Sequence, residues 1–140
     1  MIVVDTNVAS ELMRPSPAVA VQDWVRSHAA RELCTTAITV AEVQYGIERL
    51  PAGRRKEALR AAAMEIFETF AEQVLPFDTL AAEQYALVVS QRDELGLPID
   101  GFDAQIAGIC RARGAALATR NLADFRKTGI ELINPWQVGN

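Results

Sequence analysis

Two patterns alternate along the chain: short apolar runs that stop on a polar residue, and longer stretches in which apolar residues return every three or four positions. The first suits buried strands and the second suits helices with one face on a core. Ile2-Val3-Val4 is a strand that stops at Asp5, and the capping pair Thr6-Asn7 opens a helix. Ser16-Pro17 reads as an N-cap and first-turn proline for a helix carrying Val21, Trp24, Val25 and His28. Leu33-Cys34-Thr35-Thr36 predicts a second strand, and Thr39-Val40-Ala41-Glu42 has the spacing of a capping box for a helix running to about Arg49. After the break at Pro51-Ala52-Gly53, the stripe Leu59, Ala63, Ile66, Phe67 and Phe70 predicts a long amphipathic helix over 54–72, hairpinned against the one before it.

Val74-Leu75-Pro76-Phe77 predicts a third strand, placed at a sheet edge by its proline. Asp78 or Thr79 caps the next helix, with Leu80, Tyr85, Val88 and Leu95 inward and Gly96 at its end. Asp100 caps another, with Asp103 one turn inside, Ile106 and Ile109 inward and Gly114 closing it. Ala115 to Thr119 and Ile130 to Ile133 predict the last two strands, joined through a loop from Thr119 to Phe125. Strands that alternate with helices favour a mostly parallel sheet covered on both faces. No linker, repeat or low-complexity stretch interrupts the pattern, so residues 1–140 are expected as a single α/β domain.

Composition narrows the chemistry. Half the residues are hydrophobic, enough for a core without disulfide or metal staples. Cys34 and Cys110 have no CxxC spacing and no nearby histidine, so they are expected as buried free thiols. His28 ends an apolar stripe without a serine or cysteine nucleophile signature to serve, and is expected to be structural. No secretory segment or membrane span is visible, which predicts a cytoplasmic protein. A net charge of −4 excludes a general nucleic-acid coat and requires any polyanion contact to be local. The densest basic cluster, Arg49, Arg54, Arg55, Lys56 and Arg60, lies at the turn of the helical hairpin and is read either as a solvated face or as a contact for RNA or a protein partner.

Four acids then matter together. In a β-α-β unit, strand C-termini and helix N-termini share one edge of the sheet. Asp5 follows the first strand, Glu42 opens the helix after the second, Asp103 opens the helix leading into the fourth, and Asp124 lies beyond the fourth. Each has a local alternative as a helix cap. Two carboxylates about 5 Å apart repel by roughly 3 kcal/mol at an effective dielectric of 20, so a shared crevice would have to trap protons or hold a cation. Oxygen donors without histidine or cysteine point to Mg²⁺ or Mn²⁺, and so to hydrolysis of a phosphodiester.

Val4-Asp5-Thr6-Asn7 with Ser10-Glu11-Leu12, Thr39-Val40-Ala41-Glu42, Pro98-Ile99-Asp100 with Asp103-Ala104-Gln105-Ile106-Ala107, and Ala118-Thr119-Arg120-Asn121 through Asp124-Phe125 to Asn134-Pro135-Trp136 occur in the order of a known family. Together they resemble the PIN-domain ribonucleases, and in particular the VapC and FitB type toxins of bacterial toxin–antitoxin pairs. The resemblance implies a three-layer α/β/α sandwich with a mainly parallel sheet of four to five strands. It also implies a homodimer or toxin–antitoxin hetero-oligomer, cleavage of RNA with Mg²⁺ or Mn²⁺, and a cognate antitoxin as partner. By position it makes Asp5 and Asp103 the metal ligands, Glu42 and Asp124 the remaining catalytic acids, and Thr6, Asn7, Thr119 and Asn121 the polar residues that support them or meet substrate. Where some members carry an acid two residues after the fourth-strand threonine, this chain has Asn121. Arg14, Arg120 and Arg126 join the hairpin cluster as candidates to offset the acidity toward RNA.

Two other readings remain. A haloacid-dehalogenase-like phosphatase would use Asp5 as its nucleophile but wants a second acid two residues on, where this chain has Asn7. A non-catalytic interaction module would keep the acidic crevice as a docking site. A dinucleotide-binding protein is disfavoured, because no G-x-G-x-x-G follows the first strand.

Overall fold

The strands are β1 (Ile2–Val4), β2 (Leu33–Thr36), β3 (Val74–Leu75), β4 (Ala116–Ala118) and β5 (Leu132–Ile133) in a computed structural model that describes residues 1–70 and 73–137. They pair in the order β3-β2-β1-β4-β5, every neighbour parallel. Register is fixed at the centre: Val3 lies opposite Cys34 on one side and Leu117 on the other. The expected proline-marked strand is at the edge, shortened to two residues before Pro76.

Side chains that alternate along each strand feed two separate cores. Val3, Cys34 and Leu117 face one layer, packed by Ile106 and Ile109 of α6 (Gly101–Arg113) and Val88 of α5 (Thr79–Glu94). Val4, Leu33 and Ala118 face the other, against Val8 of α1 (Thr6–Leu12) and Val21 and Trp24 of α2 (Val19–Arg26). A third cluster joins Met13 to Val43 and Ile47 of α3 (Ala37–Glu48) and Ala63 of α4 (Arg54–Thr69), which makes the expected hairpin. Residues 71 and 72 of the helix expected over 54–72 lie outside the described residues. A short α7 (Leu122–Phe125) follows β4.

Three local expectations are corrected. The second helix begins at Val19 with Ala18 as its N-cap, not at Ser16-Pro17, because the Glu11 carboxylate accepts the Ala18 N–H at 2.8 Å. The third helix is capped three residues early: Thr36, at the end of β2, accepts the Thr39 N–H at 3.1 Å. Thr39 is therefore an interior, buried residue, and Glu42 is not the glutamate of a capping box. In α5 the inward positions are Ala81, Val88 and Arg92, whereas Leu80 and Leu95 are 62% and 57% exposed. The cause is close packing of α5 on α6: a Cβ on Gly108 would lie 2.6 Å from the Ala81 carbonyl oxygen, so a narrow small-residue face turns inward.

Arg92 is buried, and among the described residues it has no carboxylate partner. Its guanidinium donates to the carbonyls of Leu97 (2.6 Å), Asp124 (2.9 Å) and Arg126 (2.7 Å), tying α5 to the turn before α6 and to the end of α7. Cys34 and Cys110 are buried and free, as expected, and desolvation pushes the Cys34 thiol up to about 11. His28 stacks edge-on against Trp24 and pairs with Glu32, also a structural role.

Candidate active site

The crossovers on the two sides of β1 run to opposite faces of the sheet, which leaves a crevice where β1 and β4 end side by side. A cavity of about 560 Å³ opens there, lined by Asp5, Glu42 and Asp103 together with Thr6, Asn7 and Asn121. Three acids separated by 37 and 61 positions in the chain therefore meet at one opening.

Asp5 is 3% exposed, and its two oxygens have different work. Oδ1 accepts the Thr6 N–H at 2.8 Å, so Asp5 does cap α1. Oδ2 accepts the Thr119 hydroxyl at 2.8 Å and the Asn7 amide at 3.1 Å, bonds that cross from β1 to β4 and fix the plane of the carboxylate. Asn7 is pinned in turn, because its Oδ1 accepts the Arg120 N–H at 3.0 Å. Thr119 also accepts the Asn121 N–H at 3.1 Å, which sets the loop beyond β4. Burial raises the Asp5 carboxyl above its usual range against the pull of these donors, with the charge of Asp124 adding to the rise.

Glu42 is held by another threonine. The Thr6 hydroxyl donates to Oε1 at 2.8 Å and lies 3.2 Å from the Thr39 hydroxyl, itself 3.4 Å from that of Thr36. Desolvation raises the Glu42 carboxyl, and Asp5 and Asp100 push it the same way. Asp103 projects from the first turn of α6, and Asp100 accepts its backbone N–H as the helix cap. Its own carboxyl is pushed up to about 7, first by desolvation and then by the charges of Asp5, Asp100, Asp124 and Glu42.

Asp124 sits apart from these three. It is exposed on α7 and does not line the cavity, although its charge is felt at Asp5 and Asp103. Asp100 caps α6 and contributes its charge at the rim. Arg49, Arg54, Arg55 and Lys56 lie at the hairpin turn and outside the cavity lining; Lys56 donates to the Glu48 carbonyl, while Arg49, Arg54 and Arg55 are exposed.

Carboxyls raised in one opening, by desolvation first and by neighbouring negative charge second, favour a site for positive charge. Among the described residues, no three acids close into a tight ligand cage. An open, oxygen-only set is what a small hard cation that keeps several waters requires, and these residues fit it.

The rest of the lining is of another kind. Ser10, Glu11, Arg14, Arg120 and Trp136 complete the lining. Donation from the Ala18 N–H holds the Glu11 carboxyl below its usual range, and Arg14 lies 3.2 Å from it. The sequence carried a signal for part of this lining: Thr6, Asn7, Ser10 and Glu11 recur at helical spacing on α1, opposite the apolar Val8, Ala9 and Leu12, with Arg14 just beyond its end. Nothing in the pattern singled out Trp136, which arrives from beyond β5.

Comparison with known proteins agrees with this geometry. The PIN domain family model matches residues 2–131. The VapC ribonuclease Y4jK of Sinorhizobium fredii is 38% identical over 138 residues, 98% of this chain and 99% of that protein. Toxin FitB of Neisseria gonorrhoeae is 35% identical over 137 residues, 97% of this chain and 99% of its own. The solved structure of FitAB bound to an IR36 DNA fragment superposes with a TM-score of 0.92 at 34% identity, covering 100% of this chain and 99% of that one.

Proposed function

This chain belongs to the PIN-domain family, and on that premise we propose that it is a divalent-metal-dependent endoribonuclease, the toxin of a toxin–antitoxin pair. The observation that carries the reading is the meeting of Asp5, Glu42 and Asp103, from three separated segments, at one cavity. PIN-domain VapC ribonucleases are in general divalent-metal dependent; for this chain the ion is Mg²⁺ or Mn²⁺, in keeping with an all-oxygen donor set. Residues 1–140 act as one PIN domain. The substrate is RNA, and the partner is a cognate antitoxin in a hetero-oligomer built on a toxin dimer. Among the described residues no helix is long and apolar enough to cross a membrane, and the cytoplasm, where RNA and antitoxin are both met, is the place of action.

Asp5 and Asp103 would hold the cation, which when bound offsets charge on the phosphate and acidifies water. Asp5 arrives already oriented by Thr119 and Asn7, so no reorganisation is needed when charge develops. Glu42 has one oxygen fixed by Thr6 and a carboxyl raised above its usual range, a shift suited to taking a proton from the attacking water. Asp124, further out, orients that water or supports Asp103 through its charge. Arg54 and Arg55, exposed at the hairpin turn, are placed to meet RNA or the antitoxin outside the cavity.

Asp5→Asn tests the reading. Asparagine keeps an oxygen for the Thr6 N–H and is a good N-cap but loses the bond from the Asn7 amide, so the melting temperature should fall only slightly while RNA cleavage with Mg²⁺ or Mn²⁺ is lost. A folded variant that still cleaves RNA would remove the cluster from the chemistry.

A further inference from the structure

The cavity lined by the acids Asp5, Glu42 and Asp103 is lined also by Arg14, Arg120 and Trp136. The Arg120 guanidinium lies 4.8 Å from the centroid of the Trp136 ring. Arg120 follows Thr119 directly, its own N–H is bonded to Asn7, and its side chain is exposed. Trp136 is anchored: it packs against the cluster that contains Val4, Val8 and Ala118, and its backbone N–H donates to Asn134 Oδ1 at 3.0 Å. The stack therefore stands on the same framework that orients Asp5.

An arginine needed only to neutralise the acids would reach toward a carboxylate. Among the described residues Arg120 makes no ion pair; its charge is felt at Glu11, but its guanidinium lies over the indole of Trp136. A guanidinium so held keeps its N–H edge for a phosphate and presents a planar face on which a base can stack. An acidic pocket repels a polyanion, so a cation fixed on its rim is also what brings the scissile bond within reach of the acids.

We propose that Arg120, backed by Trp136, is a nucleotide-binding platform that takes the phosphate and base of a single-stranded RNA next to the bond being cut. The inference rests on the ribonuclease reading and adds the residues that seat the substrate. Here both are substrate-binding groups and neither moves a proton.

The test measures binding of a fluorescently labelled single-stranded oligoribonucleotide by anisotropy, in EDTA to prevent cleavage, over a range of salt. Arg120→Ala should weaken binding about tenfold, and the slope of log Kd against log salt should shrink by about 0.7, the value for one phosphate no longer neutralised. Arg120→Lys should restore that slope but not the affinity, because lysine keeps the charge without the stack. Trp136→Leu should weaken binding severalfold with the slope kept, Trp136→Phe should recover most of the loss, and RNA should quench a fluorescence component that Trp136→Phe removes. Thermal melts accompany each variant, and Trp136→Phe carries the decision if the leucine variant unfolds. Wild-type affinity in folded Arg120→Ala overturns the platform while leaving the nuclease reading intact, as does an effect confined to binding of the antitoxin. Wild-type protein that neither binds RNA in EDTA nor cleaves it with Mg²⁺ or Mn²⁺ overturns both, whereas cleavage without binding in EDTA overturns the platform alone.

Discussion

The hydroxyl of Thr6 donates to Oε1 of Glu42 at 2.8 Å, joining the first turn of α1 to the second turn of α3 across 36 residues of chain. This bond turns what the sequence offers as a helix-capping glutamate into a member of the site. Thr6→Val keeps the shape and removes the donor. It should lower RNA cleavage about tenfold, as expected when a reacting group loses its fixed orientation, at a stability cost of about 1 kcal/mol. Thr6→Ser should restore most of the activity. Full cleavage by Thr6→Val would show that Glu42 needs no such support.

Asp103 makes the metal-free protein sensitive to pH. Its carboxyl is raised to about 7 in the folded chain from 3.8, so between these values the folded state holds a proton that the unfolded chain has released. Stability from this group is complete below the lower value, declines as pH rises and is gone above the upper one. In EDTA the melting temperature should fall between about pH 5 and pH 7.5 by more in the native sequence than in Asp103→Asn. Millimolar Mg²⁺ or Mn²⁺ should oppose the fall, with the larger gain at the higher pH, where the ionised form awaits it. Equal slopes in the two proteins would assign the pH dependence elsewhere.

Arg92→Met removes the cation that satisfies carbonyls at Leu97, Asp124 and Arg126. Methionine fills the stem's volume but leaves those oxygens without a donor, so unfolding in urea should show a loss of about 3 kcal/mol. Because two of the carbonyls belong to the segment carrying Asp124, activity should fall further than the folded fraction explains. A change under about 1 kcal/mol would mean that water replaces the guanidinium without cost.

Gly108→Ala tests the closeness of α5 and α6. The added methyl meets backbone, the Ala81 oxygen at 2.6 Å and the Tyr85 nitrogen at 3.0 Å, and neither can swing away. Despite alanine's better helix propensity, the urea midpoint should drop by an amount equivalent to roughly 1–3 kcal/mol with the slope unchanged. An unchanged midpoint would mean that the two helices separate at little cost.

What the sequence made legible depended on how local the cause was. Asp5 was readable because a strand end and a helix start coincide there, and the edge on which it must lie follows from handedness alone. Glu42 was placed in the right region for the wrong local reason: two threonines three residues apart can each cap a helix, and only the end of β2 decides that Thr36 does. The buried face of α5 was misplaced because leucines outweigh small residues in any periodicity argument, whereas the partner helix selects Ala81 through its bare Gly108. Arg92 was illegible, since its partners are carbonyl oxygens, which no side-chain pattern records. Trp136 stood at the end of a motif without a role until Arg120 was seen lying on it.

The central position of β1 bears on when the protein becomes active. Its flank is completed by β4, and Asp5 finds Thr119 only after Ala118 has accepted the Asp5 N–H across that pairing. A ribosome must therefore release nearly the whole polypeptide before the first carboxylate it made is in working order. Chains that stop before Thr119 lack the partner that orients Asp5 and, on the proposed function, are expected not to cleave RNA.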